Sequence, residues 1–421
     1  MPRLSWPRLF ALSAFAFAIT LVANSLDPAV FGHKVLQLLP EKPNTLLGLS
    51  TFAASVLSMA LGPIVGAWSD RTQSRHGRRM PFFLAGVPVL IAALYIIALA
   101  PSVMIFVLGV LLFRLGDNLI FPPWQALFPD YVPPAQRGIG AGIKSLLDIL
   151  ALLIGRFAAG ELVAQAPILG QKAVVLAVTV PAVGLLIALV TTRWALRELP
   201  ARNEDELPRQ GLLEAFKINW RARPAFTWWF INRTFFWTGF TILGTFLLFF
   251  VIDVIGFPEA EAQRYLARLS LVLGGAILLI AVPSGWLADR LGRKPLVVSA
   301  CVLITVGTGM IVLVREPSSL IYAAALVGLG AGIFISADFA LLTDIVPANE
   351  AGRYLGISNI ASAGGGAVAR LLGGLIIDPV NALTGSAAIG YLSLYGFAAV
   401  LFFFSILAAL KLSAEEAPSA D

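Results

Sequence analysis

The sequence GAWSDRTQSRHGRRM, residues 66–80, joins two long apolar runs, and a similar passage, GWLADRLGRK, recurs at residues 285–294. Both passages contain Gly, three intervening residues, Asp and Arg, followed by further basic side chains. A pattern that returns once in each half of a chain indicates that the two halves are related structural units.

The composition identifies lipid as the solvent of this chain. Of its 421 residues, 58% are hydrophobic and only 13% are charged, whereas a soluble domain carries about 25% charged residues. A membrane-spanning helix needs about 20 mostly apolar residues. The sequence predicts twelve such spans, near residues 9–30, 45–68, 81–100, 103–129, 139–165, 172–193, 225–252, 269–288, 294–314, 318–344, 355–378 and 386–411. We interpret the first run as span 1 and not as a cleaved secretion signal, because further spans follow it.

One polar stretch divides the chain. Residues 194–224 form the only sizeable polar segment and predict a linker after span 6. We therefore expect an N-terminal six-helix bundle over residues 1–193 and a C-terminal six-helix bundle over residues 225–421. The predicted fold class is an all-α membrane protein with twelve transmembrane helices.

A second repeat supports this division. The sequence ALFPDYVP at residues 126–133 matches ALLTDIVP at residues 340–347. Each copy leads into a span that contains Arg-x-x-x-Gly, at residues 156–160 and at residues 370–374. Repeats in this order predict two pseudo-symmetric halves related by an axis along the membrane normal.

The distribution of basic residues predicts the orientation. Most of the 30 Lys and Arg residues lie in one set of loops together with both termini and the linker. Such an excess is typical of the cytoplasmic side, so we expect both termini in the cytoplasm and attribute the net charge of +6 to topology and not to nucleic-acid binding. Cys301 is the only cysteine, and His33 and His76 are isolated, so we expect no metal site and no cofactor.

Polar and aromatic side chains inside the predicted spans are the candidate solute- and proton-binding residues. A charge at the centre of a membrane helix costs at least about 2.5–3.5 kcal/mol on insertion scales, so charges kept there are functional candidates. The candidates are Arg114, Asp117, Asn118, Trp124, Lys144, Asp148, Arg156, Arg233, Trp237, Asp338, Asn359 and Arg370. The i, i+3 spacing of Arg114 and Asp117 and the i, i+4 spacing of Lys144 and Asp148 place opposite charges side by side.

Two interpretations of these charges stay open. A carboxylate beside a base stays ionised and takes up a proton when the base is drawn away, which would couple proton movement to solute binding. Alternatively, the pairs are structural salt bridges. We counted five mid-span bases against three acids, an excess that an anionic solute, water or a helix-end acid such as Asp378 would satisfy. Trp124 and Trp237 would either stack on a sugar ring or pack in the protein.

The repeated loops are predicted to act as gates. Ion pairs that form and break there would favour an inward-open or an outward-open state. The predicted gating residues are Gly66, Asp70, Arg71, Arg78, Arg79, Asp130 and Arg137 in the first half, and Gly285, Asp289, Arg290, Arg293, Asp344 and Arg353 in the second.

The loop motif resembles the signature of the major facilitator superfamily. The longer stretch from Ser69 to Phe82 resembles the sucrose-transporter group, which is allied to the glycoside–pentoside–hexuronide cation symporters. This resemblance implies proton-coupled symport of a sugar or glycoside by alternating access, by a monomer in a bacterial cytoplasmic membrane. The sequence departs from the plant sucrose carriers in span 4, where Arg114 replaces an acid and Asp117-Asn118 replaces an Asn pair.

Two alternatives stay open, one a second transport function and the other a function of another class. The aromatic-rich span 7 permits efflux of amphipathic compounds, and the same fold also occurs in membrane assembly factors that do not transport. An enzyme is not expected, because we find no phosphate-binding loop, nucleophile elbow or metal cluster. The expected partners are a small-molecule solute and the lipid bilayer.

Overall fold

The computed structural model describes residues 4–72, 74, 77–196, 220–221, 223–313, 316–346 and 351–412, which are helical and contain no strand. The helices are α1 (Trp6–Ser25), α2 (Phe31–Leu38), α3 (Pro43–Arg71), α4 (Met80–Leu99), α5 (Val103–Tyr131), α6 (Pro134–Val163), α7 (Ala166–Leu169), α8 (Gln171–Leu196), α9 (Pro224–Thr245), α10 (Leu247–Phe250), α11 (Glu259–Leu291), α12 (Arg293–Leu313), α13 (Pro317–Ile345), α14 (Ala351–Thr384) and α15 (Ile389–Leu410). Single π-helical segments, Leu26–Val30 and Val251–Ile255, follow α1 and α10. Most of the predicted linker lies outside the described residues.

The twelve-helix fold is confirmed. Among the described residues, ten helices are long and apolar enough to cross a membrane, and α9 with α10 forms an eleventh span that is bent by 49°. The twelfth predicted span corresponds to α6, which is 30 residues long. It is not among these ten helices because three charged residues, Lys144, Asp148 and Arg156, lie within its apolar part.

Two spans are longer than hydropathy predicted. Span 1 runs over Trp6–Leu38 and includes the break between α1 and α2, and α11 begins at Glu259 and not near residue 269. In both cases the predicted span ends where charged residues begin. The helix continues past them because its polar side chains form hydrogen bonds within the protein. Asp27 adopts non-helical angles (φ −109°, ψ 121°) at the break, since a residue before proline is disfavoured in the α region.

The described chain divides into two compact units. Unit 1 comprises Met1–Pro43, Ala53–Arg209 and Pro258–Ala267. Within it α1 packs against α6 and α8, and α4 packs against α5 and α8. This unit contains the first six predicted spans, except for the first turns of α3, together with the first turns of α11.

Unit 2 comprises Asn44–Phe52, Gln210–Phe257 and Arg268–Asp421. Within it α9 packs against α14 and α15, and α12 packs against α13 and α15. The order of neighbours repeats that of unit 1, as the sequence repeats predict. Each unit therefore contains the first turns of one helix, α3 or α11, whose remaining residues belong to the other unit.

Candidate functional site

A buried arginine joins three helix ends in unit 1. Arg79, only 4% exposed, places Nη2 2.6 Å from Asp70 Oδ1 at the end of α3 and 3.2 Å from Asp130 Oδ2 at the end of α5. Its Nη1 donates to Ser69 Oγ, and Arg78 Nη2 lies 2.6 Å from Asp130 Oδ1. We call these five residues the Arg79 cluster. It brings together four of the predicted gating residues and ties α3, the start of α4 and α5 to one another.

Two further gating residues of the first half lie at the end of α3. Gly66 lies against α5, because a Cβ added there would lie 3.9 Å from Pro122 Cβ. Arg71, the last residue of α3, is exposed. The side chain of Arg137 lies outside the described part of the chain.

The second loop of the repeat has different contacts in unit 2. The Arg290 guanidinium stacks 3.8 Å from the centroid of the Trp286 ring. Arg293 Nη1 donates to the carbonyl oxygen of Ala340 at 2.5 Å, which ties the start of α12 to α13. Gly285 has open space where a Cβ would stand. The side chains of the predicted gating residues Asp289, Asp344 and Arg353 are outside the described part.

The first membrane ion pair lies on α5. Arg114 Nη1 lies 3.5 Å from Asp117 Oδ2, and the two side chains are 24% and 19% exposed. Asn118 Nδ2 donates to Ser58 Oγ and to the Arg114 carbonyl oxygen, both at 2.8 Å. The pair predicted from the i, i+3 spacing is therefore present, and the neighbouring amide links α5 to α3.

The second ion pair lies on α6 and is shared with α1. Lys144 Nζ lies 2.7 Å from Asp148 Oδ2, and Thr20 Oγ1 donates to Asp148 Oδ1 at 2.9 Å. The side chains of Lys144 and Asp148 are 34% and 26% exposed. Because acyl chains do not solvate charge, we infer that their exposed atoms face water. The Lys144 ammonium lies 5.6 Å from the centroid of the Trp124 ring. These four residues form what we call the Asp148 cluster.

The placement of Trp124 points to packing. The side chain is 1% exposed, and its Nε1 donates to the Leu12 carbonyl oxygen at 3.0 Å. The indole thus packs between α5 and α1, and the face of its ring lies toward Lys144.

An acid that the sequence argument overlooked lies at the break in span 1. Arg156 Nε donates to Asn24 Oδ1 at 3.2 Å, and the charge of Asp27 acts on the Arg156 guanidinium. Gly155 permits the approach of α1 to α6, because an added Cβ would lie 3.0 Å from a backbone oxygen of α1. Asp27 is a further acid within the predicted spans, in addition to Asp117, Asp148 and Asp338. An Asp-Pro pair inside an apolar run was the available signal, since it predicts a helix break.

Unit 2 holds a buried ion pair between α9 and α13. Arg233 on α9 pairs through Nη1 with Asp338 Oδ2 on α13, and its Nε donates to Ser362 Oγ on α14 at 2.9 Å. The guanidinium carbon lies 5.3 Å from the ring centroid of Trp229 and 6.0 Å from that of Trp237. The Asp338 side chain is 1% exposed, and its Oδ1 has no hydrogen-bond partner among the described residues. We call these five residues the Asp338 cluster.

The last two candidates lie on α14. Asn359 is exposed. Arg370 is half-buried, and its Nη1 lies 3.1 Å from the position of a Cβ added to Gly366, so the side chain runs back along its own helix.

The first turns of α3 dock on α14 within unit 2. Asp378 accepts hydrogen bonds from the Thr45 backbone N–H and from Asn44 Nδ2, both at 2.7 Å. The helices cross at two glycines, and a Cβ on Gly48 would lie 2.6 Å from Gly374 Cα. A side chain larger than hydrogen does not fit this crossing, which we call the α3 dock.

The first turns of α11 dock on unit 1 in a parallel manner. A Cβ on Gly160 would lie 3.0 Å from Ala267 Cβ and 3.1 Å from the Gln263 carbonyl oxygen. Glu259 Oε1 lies 2.5 Å from His33 Nδ1. We call this contact the α11 dock. The repeated Arg-x-x-x-Gly sequence therefore marks both helix crossings, a role that the repeat alone did not reveal.

Comparison with known proteins identifies relatives of one class. The family model for the Major Facilitator Superfamily matches residues 5–369 and 267–421. The human proton-associated sugar transporter A is 34% identical over 120 residues, 25% of this chain and 16% of that protein. The sucrose transport protein SUC3 of Arabidopsis thaliana is 27% identical over 127 residues, 25% of this chain and 21% of that protein. The multidrug resistance protein MdtH of Yersinia enterocolitica is 26% identical over 138 residues, 32% of this chain and 34% of that protein.

The solved structures agree at the level of fold. The crystal structure of the nucleoside transporter NupG, a D323A mutant, aligns with a TM-score of 0.73 at 13% identity and covers 96% of this chain and 99% of that one. By contrast, the chain matches only 16–34% of the length of the three curated relatives.

Proposed function

The chain belongs to the Major Facilitator Superfamily, and we propose that it is a proton-coupled symporter of a sugar, glycoside or similar polar solute. The Asp148 cluster is the observation that supports this most directly. It combines an acid, a base and a hydroxyl on two helices that cross the membrane. Sucrose and proton-associated sugar transporters among the relatives favour the same solute class.

The coupling step in this proposal is an exchange of partners. In the absence of solute, Lys144 Nζ lies 2.7 Å from Asp148 Oδ2. A sugar hydroxyl that accepts a hydrogen bond from the Lys144 ammonium draws this base away, and Asp148 then takes up a proton. Thr20 retains its hydrogen bond to Asp148 Oδ1 and holds the carboxyl group in place.

Alternating access requires that the two docks release. In the conformation described here, the first turns of α3 are bound by Asp378 and those of α11 by the contact of Glu259 with His33. The Arg79 cluster lies within unit 1 at the other end of α3, so a change in its ion pairs would alter how that end of the helix is held. We propose that the two docks and the Arg79 cluster set the balance between the two access states.

Uptake into proteoliposomes tests the proposal. Vesicles with an interior two pH units more alkaline than the medium would be supplied with radiolabelled disaccharides, glycosides and uronates. A neutral solute carried with one proton would accumulate up to about 100-fold, since each pH unit is worth about 1.36 kcal/mol. Uptake that is indifferent to the imposed gradient would overturn proton coupling.

A variant separates coupling from solute binding. Asp148→Asn should lose gradient-driven accumulation and keep solute exchange between vesicle and medium, because the amide preserves the hydrogen bond from Thr20 but carries no proton. The matched control is Glu161→Gln, an acid on the same helix outside the Asp148 cluster, which should leave both activities unchanged. Loss of exchange together with accumulation in Asp148→Asn would contradict the assigned role.

A second function is efflux of amphipathic compounds, which the multidrug resistance relative favours. The aromatic rings around Arg233 in the Asp338 cluster would supply apolar contacts to such a compound. Extrusion of a preloaded amphipathic dye by vesicles energised in the opposite direction, without uptake of any sugar in the panel, would replace the first proposal by this one.

A further inference from the structure

An apolar groove opens on the membrane-facing surface of unit 2, along α12 and the end of α15. It has a volume of about 640 Å³, within the roughly 300–1,000 Å³ typical of ligand sites. Its wall is formed by the apolar side chains of Pro295, Val298, Val302, Leu303 and Leu410. Ser299 also lines it, but its hydroxyl donates to the Leu296 carbonyl oxygen at 2.9 Å, so the groove offers little to a polar occupant.

A basic residue, Lys294, lies at one end of this groove. Lys294 lines it, and its Nζ donates to the carbonyl oxygens of Leu410 and Leu412 at 2.7 and 2.6 Å. An ammonium group has three N–H donors, so these two hydrogen bonds hold the side chain in place, and the third donor has no partner among the described residues. Lys411, next to Leu410 in the chain, is exposed and lies with Nζ 4.3 Å from the centroid of the Trp228 ring.

The groove has the length of one membrane leaflet. From Lys294 to Leu303 it follows nine residues of α12, which rise about 13 Å at about 1.5 Å per residue. Half of the roughly 30 Å hydrocarbon core is about 15 Å. The tryptophan near Lys411 also matches the interfacial level, where aromatic side chains concentrate.

We propose that this groove binds one anionic phospholipid. An acyl chain lies along Val298, Val302 and Leu303, and the headgroup phosphate accepts a hydrogen bond from Lys294 and is attracted by Lys411. An apolar groove with the Lys294 ammonium group fixed at one end complements both the acyl chain and the anionic headgroup of such a lipid. The bound lipid would fasten α12 to α15 at the membrane surface, separately from the solute site.

The C-terminal sequence is a competing occupant. Residues 413–421, SAEEAPSAD, follow Leu412 directly and include Glu415, Glu416 and Asp421. These acids could pair with Lys294, but the segment contains no large apolar side chain to fill the groove. The apolar wall therefore favours the lipid over the tail.

Native mass spectrometry of the full-length protein in detergent tests this inference. The protein would be titrated with palmitoyl-oleoyl phosphatidylglycerol and with the phosphatidylcholine of the same chains. We expect one phosphatidylglycerol to bind with a Kd about 30-fold lower than phosphatidylcholine, since each of two basic residues near the surface contributes about a factor of five. Equal affinity for the two lipids would overturn the assignment of Lys294 and Lys411.

Matched variants locate the lipid. Val302→Trp fills the groove and should abolish the tight binding, whereas Val306→Trp, one turn further along the same exposed face of α12, should keep it. Lys411→Gln should raise the Kd for phosphatidylglycerol about fivefold. Equal binding in the two tryptophan variants would overturn the location. Binding that appears only after Glu415→Gln and Glu416→Gln would identify the tail as the occupant in the native chain and would also overturn it.

Discussion

Substitution of Gly48 by alanine should open the α3 dock. The added methyl group would lie 2.5 Å from the Arg370 carbonyl oxygen and 2.6 Å from Gly374 Cα, both of which are backbone atoms that cannot rotate away. Ordinary contact begins near 3.4 Å, so the helices must separate by about 0.9 Å. Overpacking of this kind costs about 1–3 kcal/mol. At tenfold per 1.4 kcal/mol, the docked population falls about 5- to 150-fold relative to the undocked one.

Distances between two spin labels would measure this change. Leu49 on α3 and Leu383 on α14 lie on the two docked helices, and they are 39% and 87% exposed. Both would be replaced by labelled cysteines in a Cys301→Ser background, because Cys301 is the only native cysteine. Electron–electron double resonance should show a longer distance population in Gly48→Ala than in the parent protein.

A glycine on the same helix as Gly374 provides the control. A Cβ on Gly364 meets nothing within 4 Å, so Gly364→Ala should leave the distance distribution unchanged. An unaltered distribution in Gly48→Ala would refute the steric argument. A change of similar size in both variants would attribute the effect to the helix backbone and not to the crossing.

Three further substitutions have defined consequences. Arg79→Gln removes one of the two arginines that pair with the buried Asp130 and leaves Arg78 in place, so it should lower the free energy of unfolding by about 1–3 kcal/mol, measured by thermal unfolding against Arg71→Gln, whose side chain is exposed. Asp378→Ala removes the acceptor of the Thr45 N–H and should lengthen the distances between the two spin labels as Gly48→Ala does, whereas Asp378→Asn, which keeps one carbonyl oxygen, should have a smaller effect. Trp124→Phe removes the indole donor to α1 and should cost about 1–3 kcal/mol of stability with solute affinity nearly unchanged; a large loss of affinity at unchanged stability would place this side chain at the solute.

Most of the fold could be predicted from the apolar runs and the repeated motifs of the sequence. We could predict the number of membrane-spanning helices from the twelve apolar runs. The polar segment after residue 193 and the repeated loops predicted that the helices pack in a related order within each unit. The spacing of Lys144 and Asp148 was sufficient for their ion pair, because neighbours at i, i+4 share a helix face. Such local relations depend on geometry that is the same in every α-helix.

Relations over a long sequence distance could not be predicted in this way. The partner of Asp338 is Arg233, which lies on another helix, and nothing in the sequence between them specifies that pairing. His33 appeared isolated because Glu259 is remote in the chain. The docks depend on which helix faces Gly160 or Gly374, and a small residue indicates only that some helix approaches closely.

One consequence concerns the mechanics of α3. Its residues 44–52 belong to unit 2, and its remaining turns belong to unit 1. Just before this boundary, Ser50 Oγ and Thr51 Oγ1 donate to the Leu47 carbonyl oxygen, at 3.1 and 2.6 Å. Hydroxyls bonded back to the preceding turn bend helices. A helix that begins in one unit and continues in the other can therefore flex at Ser50 and Thr51 while the α3 dock stays closed.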